Sequence, residues 1–251
     1  MLEYAVMVDR GRVHETNDDE ALANHSVIDS GFFCGSCETE TALFAVADGV
    51  GSLEQSVIAA RESLRRMADC APNNPEEIFA SFEMANRIIQ IYENNRQLSD
   101  GLSCTVCLVA VDGESISTYN LGNSRCYRFR NGATQQLTKD QTKKQELIDL
   151  NLIPIEKIDR MQDGPLTKYM GHREFDRSWI DYRQHTELFN YGDSLLICSD
   201  GLHGYVDRGS IEETLLSAED VRDGVKKLVN KADEAGGIDN VTVVLIKRVR
   251  D

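Results

Sequence analysis

CTVCLVAVDGESISTYNLGNSRCYRFRNGATQQLT, residues 104–138, is the stretch that decides the fold. Short runs of apolar and β-branched residues recur in it, separated by Asp112-Gly113, by Gly122 and by Asn131-Gly132. Asp-Gly and Asn-Gly pairs are typical of tight hairpin turns, because their backbones adopt positive φ at little cost. The stretch therefore predicts a meander of antiparallel strands.

Strand and helix patterns on both sides of the meander predict the rest of the fold. Runs typical of strands occur at residues 3–9, 26–33, 42–47, 185–190, 194–200 and 241–249. Apolar residues at helical spacing predict two pairs of helices, at residues 54–69, 75–97, 208–217 and 219–235. Strands at both ends and in the middle, with helical pairs between them, predict an α+β fold of two packed antiparallel sheets with helices outside.

Length and composition predict one domain. The 251 residues allow one large domain or two small ones, and since no clear linker divides them we expect a single domain over residues 1–251. Residues 139–183 depart from the pattern, because they are polar, rich in Lys, Asp and Gln, and hold two of the four prolines. We expect this segment to be a mobile, flap-like excursion beside the active face.

Charge and hydropathy exclude several partners. The chain has 27 basic and 42 acidic residues, a formal charge of −15, so most of its surface would repel a nucleic-acid backbone. No run approaches ~18 apolar residues, and the N-terminus lacks the basic start and long apolar centre of a signal peptide. We therefore expect a soluble, cytoplasmic monomer with no nucleic-acid and no membrane partner.

The seven cysteines are odd in number and scattered, several of them inside apolar runs, which indicates reduced, buried thiols. Two C-x-x-C pairs leave a structural zinc site as the alternative. Cys104 and Cys107 lie in one predicted strand, where residues three apart point to opposite faces, so they cannot chelate together without a bulge. Cys34 and Cys37 are predicted at a hairpin tip.

Aspartates recur where apolar runs meet loops. Asp48, in ALFAVADGVGS (residues 42–52), and Asp200 each end such a run and precede a glycine, and Asp239 stands just before the last run. Because Asp-Gly is a common turn signal, each of them alone can be a surface turn residue. The alternative is a bound cation, since a buried carboxylate costs several kcal/mol unless it is paired or neutralised.

Taken together, these aspartates and the acidic loop Asn17-Asp18-Asp19 form a set of oxygen donors with few thiol or imidazole ligands. Such a set suits Mg²⁺ or Mn²⁺. Without a metal the carboxylates would repel one another and take up protons. With two ions they become a template for a metal-activated water, the usual nucleophile of phosphoester hydrolysis.

Eight motifs in order resemble the metal-dependent Ser/Thr protein phosphatases of the protein phosphatase 2C type, in their short bacterial form. They are RGRVHETNDD, FAVADGVGS, GLSCT, LGNSRCYRF, LTKDQT, LTKYMG, ICSDGL and GGIDNVTVV, and they cover essentially the whole chain. The resemblance implies a four-layer α/β/β/α sandwich, in agreement with the fold predicted from the strand and helix patterns.

The resemblance also implies roles at matched positions. Asp48 would bridge two Mn²⁺ or Mg²⁺ ions, and Gly49 would lend its backbone carbonyl to one of them. The water between the ions would attack the phosphorus in line. Asp200 and Asp239 would be the other carboxylates of the first ion, and Asp19 with its neighbour Asp18 would be the acidic pair that supports the second. Asn240 would orient a carboxylate or a bound water from outside.

Two positions depart from the family pattern. Asn123 stands where the family usually has an aspartate that holds a third metal ion with the residue matched by Asp200, so we expect a third site that is weak or absent. Its alternative role is a tight turn. His14 stands where the family commonly has a phosphate-binding arginine, and it would contact the phosphate or donate a proton to the leaving oxygen. A surface histidine without function is the alternative. Arg10 or Arg12 could then bind the phosphate in place of the family's arginine.

The sequence therefore predicts a metal-dependent phosphatase of phosphoserine and phosphothreonine in proteins, acting against a bacterial Ser/Thr kinase. Its partners would be phosphorylated proteins and that cognate kinase. Two alternatives stay open. One is a pseudophosphatase that keeps the fold as a regulatory binding module, and the other is a hydrolase of small phosphoesters.

Overall fold

The structure is a computed structural model that describes residues 1–51, 56–98, 101–158, 161 and 163–250. Its strands are β1 (Leu2–Asp9), β2 (Asp19–Ala23), β3 (Ser26–Ile28), β4 (Gly31–Cys37), β5 (Thr41–Val50), β6 (Ser103–Cys104), β7 (Val106–Asp112), β8 (Ser115–Leu121), β9 (Arg125–Arg130), β10 (Ala133–Gln136), β11 (Asp181–His185), β12 (Ser194–Cys198) and β13 (Val241–Arg248). Its helices are α1 (Ser56–Met67), α2 (Pro75–Arg96), α3 (Lys143–Asp149), α4 (Ile155–Ile158), α5 (Asp200–His203), α6 (Arg208–Ser217) and α7 (Val221–Glu234), with a 3₁₀ turn at Arg177–Trp179.

The strands form two antiparallel sheets that pack face to face. One sheet has the order β10-β9-β12-β13-β1-β4, and the other has the order β11-β8-β7-β5-β2-β3 with β6 added beside β5. The predicted meander is present as β7 to β10, although its last two strands belong to the first sheet. Fully buried side chains such as Phe44, Val109, Ile197 and Val244 fill the space between the sheets.

Helices cover both outer faces. Alternate residues of a strand face opposite sides, so Phe44 packs between the sheets while Ala45 packs against α1 and α2 with Leu64 and Phe82. On the other side, α7 lays Leu228 against Leu245 of β13. The α/β/β/α sandwich predicted from the sequence is confirmed.

Four local predictions differ from the structure. The strand predicted at 26–33 is divided at residues 29 and 30 into β3 (Ser26–Ile28) and β4 (Gly31–Cys37). The strand predicted at 185–190 is wrong, because β11 occupies Asp181–His185 and ends there. The strand β2 was not predicted, since it begins with two acidic residues that look like loop. Cys34 and Cys37 lie within β4 and not at a hairpin tip.

The remaining strand and helix predictions agree with the structure to within a few residues where it describes them. Residues 54 and 55, the predicted start of the first helix, lie outside the described residues. All seven cysteines are free thiols, and Cys104 and Cys107 face opposite sides of their sheet. Within the described ranges, no helix is both long and apolar enough to span a membrane.

The excursion at 139–183 contains regular structure. The Thr142 hydroxyl accepts a hydrogen bond from the backbone N–H of Gln145 and so caps α3. An isolated bridge joins Thr142 to Leu166, and a second joins Met170 to Cys104 at the edge of the second sheet. These two bridges bring the segment around Leu166 over the loop ends of both sheets.

Candidate metal centre

Four aspartates from distant parts of the sequence meet at one end of the sandwich. Asp19 and Asp48 are direct cross-strand partners in β2 and β5. Asp200 follows β12 and Asp239 precedes β13, and these strands are paired so that both residues lie at the same end of the first sheet. Since β13 packs across the sandwich against β2 and β5, the two pairs of carboxylates face each other.

A cleft of about 400 Å³ opens over these carboxylates. Its lining consists of His14, Asp18, Asp48, Gly49, Val50, Gly51, Asn123, Gly164, Pro165, Leu166, Asp200, Asp239 and Asn240. Seven of the predicted metal and supporting residues, together with His14, thus line one cavity. A roomier concavity of about 600 Å³ lies beside the end of α2, but it holds none of the four aspartates.

Asp18 and Asp19 differ in position in a way that the sequence did not show. Asp18 lines the cleft, whereas Asp19 is 2% exposed and lies beneath it. The Ser199 hydroxyl donates a hydrogen bond of 2.7 Å to Asp19 Oδ2, and that hydroxyl in turn accepts 3.0 Å from the backbone N–H of Thr242. Asp18 is therefore the better placed of the two to touch a ligand directly.

The cleft concentrates negative charge that no described cation balances. Burial raises the pKa of Asp48 well above its usual range, and the charges of Asp19, Asp200 and Asp239 raise it further. Burial also raises the pKa of Asp19 to about 7, although the hydrogen bond from Ser199 opposes the shift. The pKa of Asp200 is raised by burial and then by Asp239. Such carboxylates gain most from a divalent cation between them.

The donor set fits a hard divalent cation. All of its members are oxygen ligands, and the buried Asp18 Oδ1 has no hydrogen-bond partner. A Cβ at Gly49 would stand 2.7 Å from the backbone oxygen of Asp18, so a glycine is needed for the close approach of these two backbone segments beside the cleft. Among the described residues, however, no three acidic, thiol or imidazole side chains already stand in a finished coordination arrangement.

Asn240 ties the N-terminal loop to the cleft. Its Oδ1 accepts a hydrogen bond of 2.9 Å from the backbone N–H of Asp18, and its Nδ2 donates to the backbone oxygens of Arg10 and Thr16 at 2.9 and 3.0 Å. Asn240 thus positions the Asp18 backbone, and these hydrogen bonds do not involve a carboxylate.

Asn123 contacts a candidate ligand directly. Its Nδ2 donates a hydrogen bond of 2.9 Å to Asp200 Oδ2, and its side chain is buried. The backbone oxygen of Asn123 lies 3.0 Å from His203 Nε2, which must donate because a carbonyl can only accept. The amide therefore meets Asp200 as a donor and does more than form a turn.

His14 stands at the mouth of the cleft. Its Nε2 is 3.5 Å from Asp239 Oδ1, and half of its side chain is exposed. The two nearby arginines contact other groups, because Arg10 donates to the backbone oxygen of Glu15 at 3.1 Å and Arg12 lies 3.4 Å from Asp233. Of the three basic residues Arg10, Arg12 and His14, His14 is thus the one that lines the cleft.

Several residues of the site were not singled out from the sequence. Thr105 supports Asp48 through two hydrogen bonds. The Asp48 N–H donates to Thr105 Oγ1 at 3.3 Å, and the Thr105 N–H donates to the backbone oxygen of Asp48 at 2.8 Å. Ser199 holds Asp19, and Pro165 and Leu166 of the excursion form one wall. The signal for them was their place in the motifs: Thr105 is in GLSCT, Ser199 is in ICSDGL, Leu166 begins LTKYMG and Pro165 precedes it.

An α/β/β/α sandwich with an oxygen-rich acidic cleft at its strand ends is the arrangement expected of a metal-dependent phosphatase of the protein phosphatase 2C type. The sequence model described as Protein phosphatase 2C matches residues 29–244, most of the chain. The chain therefore belongs to the protein phosphatase 2C family, as its motifs indicated.

Curated relatives and solved structures agree with this assignment. The chain is 26% identical over 249 residues to the serine/threonine phosphatase stp of Listeria innocua, covering 96% of this chain and 93% of the relative. It is 28% identical over 251 residues to the serine/threonine protein phosphatase PstP of Mycobacterium tuberculosis, covering 98% of this chain and 45% of the relative.

Two solved structures of PstP share the whole fold. The crystal structure of the Mycobacterium tuberculosis enzyme superimposes with a TM-score of 0.83 at 25% identity, with both chains fully covered. The catalytic domain of PstP in complex with two manganese ions superimposes with a TM-score of 0.80 at 26% identity, again over the full length of both chains.

Proposed function

We propose that this protein is a phosphatase that hydrolyses phosphoserine and phosphothreonine in proteins with two Mn²⁺ or Mg²⁺ ions. The observation that carries the proposal is the convergence of Asp18, Asp48, Asp200 and Asp239 on one cleft whose charges are uncompensated. The names of the relatives and the manganese complex of PstP support the same reaction.

Each residue of the cleft would have a role that follows from its position. Asp48, Asp200, Asp239 and the Gly49 carbonyl would hold the cations, with Asp18 beside the second and Asp19 beneath. Bound ions would supply Lewis acidity and an acidified water between them, the nucleophile that hydrolysis of a phosphomonoester needs. Asp48 and Asp200 are the catalytic carboxylates in this account, and His14 would bind the phosphate from the rim.

The wider setting is part of the proposal. We infer one catalytic domain over residues 1–251, in which the flap-like segment 139–183 overlooks the cleft through Pro165 and Leu166. The enzyme would act as a monomer on phosphorylated proteins and oppose a Ser/Thr kinase of the same cell.

A substrate panel tests this function. The wild type and Asp200→Asn should be assayed with a phosphothreonine peptide and p-nitrophenyl phosphate, in Mn²⁺ and in chelator. We expect turnover of both substrates only with Mn²⁺ and only by the wild type. A complete lack of metal-dependent turnover would favour the binding module, and turnover of the small ester alone would favour the small-phosphoester hydrolase.

His14→Ala is expected to raise the KM for the phosphothreonine peptide roughly tenfold, because a charge-assisted hydrogen bond to the phosphate would be lost. His14→Arg should keep tight binding of the phosphopeptide, since a guanidinium can make a bidentate contact with the phosphate. Steady-state kinetics in Mn²⁺ measures both. Unchanged KM and kcat in His14→Ala would show that the histidine has no part in the reaction.

Asn123→Asp is expected to lower the Mn²⁺ concentration needed for half-maximal activity, because a carboxylate binds a hard cation better than an amide does. In chelator the same change should lower the melting temperature, since it replaces the hydrogen-bond donor to Asp200 by a second negative charge. Metal titration and thermal melting read the two effects separately. Identical Mn²⁺ titration curves for Asn123→Asp and the wild type would show that residue 123 does not affect metal binding.

A further inference from the structure

Three exposed apolar side chains come from three segments that also supply residues of the candidate metal cleft. They are Val13 with 63% of its surface exposed, Ile238 with 46% and Tyr205 with 40%. Single exposed apolar residues are ordinary on a protein surface, but each of these three lies within five residues of His14, Asp239 or Asp200, which line the cleft. We call them the apolar rim.

Backbone contacts fix two members of the rim next to the cleft. The N–H groups of Arg12 and Val13 donate hydrogen bonds of 2.8 and 3.2 Å to the backbone oxygen of Gly237. The loops that contain Val13 and Ile238 therefore form one edge, and the next residue of each loop, His14 or Asp239, lines the cleft. Both apolar side chains are thus one residue away from the site.

Tyr205 completes the rim from the turn after α5. The Gly204 N–H donates a hydrogen bond of 2.8 Å to the backbone oxygen of Asp200, so the turn that carries Tyr205 is held against a residue that lines the cleft. Pro165 and Leu166 form an apolar wall of the same cleft. A chain lying in the cleft would meet apolar side chains on leaving it.

The charges around the opening disfavour acidic neighbours. None of the described residues that line the cleft is Lys or Arg, and four of them are aspartates. Arg10 and Arg12 at the outer edge are engaged with Glu15 and Asp233. With a net charge of −15, the protein offers an acidic substrate segment little attraction here beyond the bound cations.

We propose that the apolar rim selects phosphoproteins in which a bulky apolar residue stands next to the phosphoserine or phosphothreonine. The inference rests on the proposed function, and the occupant of the rim is the substrate chain itself. Consecutive Cα atoms are about 3.8 Å apart, so a residue beside the phosphorylated one reaches a rim that is one residue from the cleft.

Phosphothreonine peptides that differ only in the residue before or after the phosphothreonine test the proposal. Leu, Ser, Lys and Glu should be compared in Mn²⁺ by kcat/KM. In the wild type we expect Leu to exceed Ser by roughly tenfold, the effect of partly burying one apolar side chain. Lys and Glu should not exceed Ser. Because each enzyme supplies its own Leu-to-Ser ratio, a general loss of activity does not disturb the comparison.

Variants of the rim should change that ratio. Val13→Ser combined with Ile238→Ser, and separately Tyr205→Ser, should bring it close to one, whereas Tyr205→Phe should keep it. Leu216→Ser is the matched control, since Leu216 is 70% exposed on α6 and does not line the cleft. It should leave the ratio as in the wild type.

The outcomes separate this inference from the proposed function. Equal rates for the four wild-type peptides, a ratio unmoved by the rim variants, or a preference for Lys would overturn the rim proposal and leave the phosphatase in place. Failure of the wild type to hydrolyse any of the peptides would overturn the proposed function and the rim proposal with it.

Discussion

Asp48→Asn is expected to lower Mn²⁺-dependent hydrolysis of a phosphothreonine peptide by roughly a thousandfold. Asp48 is the carboxylate that lies between the other three, opposite Asp19 across the strands and close to Asp200 and Asp239. An amide keeps the shape of the side chain but removes its charge, so both cations would be held less well. Steady-state kinetics over a Mn²⁺ titration measures the loss.

The same change should stabilise the protein when chelator is present. Burial and like charges raise the pKa of Asp48 far above that of an unfolded chain, so its ionised form costs stability. Below the unfolded pKa of about 3.8 the group is neutral in both states and the cost is absent. The cost then grows as pH rises toward the folded pKa. We expect Asp48→Asn to melt higher than the wild type by at least ~2 °C at pH 8, with a smaller gain at pH 5.

Asp69→Asn is the control for that stability gain, since Asp69 is exposed just after α1 and lies away from the cleft. It should melt as the wild type does at both pH values. A variant at Asp48 that loses stability in chelator at pH 8, or keeps its activity in Mn²⁺, would contradict the role given to this carboxylate.

Gly201→Ala is expected to destabilise the fold by about 3 kcal/mol and to weaken Mn²⁺ binding together with it. A Cβ at this position would stand 1.9 Å from the backbone oxygen of Asn240 and 2.9 Å from its carbon. Real Cβ atoms do not approach backbone so closely, so one of the two segments must move. These segments carry Asp200 and Asp239, and the movement would separate two candidate ligands of one ion.

Urea unfolding and a Mn²⁺ titration of activity measure the two effects of Gly201→Ala. Gly209→Ala in the first turn of α6 is the control, because its added Cβ would meet only the end of a side chain, Asp207 Oδ1 at 3.2 Å, which can shift slightly. Alanine in a helix is favoured over glycine by up to ~1 kcal/mol, which offsets that shift, so we expect a change far smaller than that of Gly201→Ala. Equal unfolding free energies for Gly201→Ala and the wild type would refute the tight contact.

Local patterns predicted much of the fold because the decisive signals were local. Asp112-Gly113 and Asn131-Gly132 mark hairpin turns whose backbone preference needs no tertiary context. Asn74 and Pro75 begin α2 where the pattern placed its start, since the Asn74 side chain caps the helix and Pro75 suits the first turn. Asp48, Asp200 and Asp239 were found because each stands at the end or just before the start of an apolar run.

Features that depend on distant partners could not be predicted in this way. The strand β2 opens with Asp19 and Glu20, and their burial makes sense only beside Ser199 and beside Arg61, whose Nε lies 2.6 Å from Glu20. Whether Asp18 or Asp19 lines the cleft likewise depends on which side of β2 faces it. No local pattern contains that information.

The excursion was expected beside the active face, but which of its residues form the wall, Pro165 and Leu166, also depends on distant partners. Its place over the cleft is set by the bridge from Leu166 to Thr142 and by the hydrogen bond of 3.0 Å from the Lys143 N–H to the Pro165 oxygen. A polar segment with two prolines shows that the sheet is interrupted, but it does not show where the chain returns.

The central claim is that aspartates at the ends of two sheets hold a pair of divalent cations. Anomalous diffraction at the manganese edge, from crystals of the full chain grown in Mn²⁺, tests it most directly. We expect two manganese peaks in the cleft, both within coordination distance of Asp48. Peaks that lie elsewhere, or a cleft without manganese in a crystal saturated with it, would show that these aspartates do not hold a pair of cations.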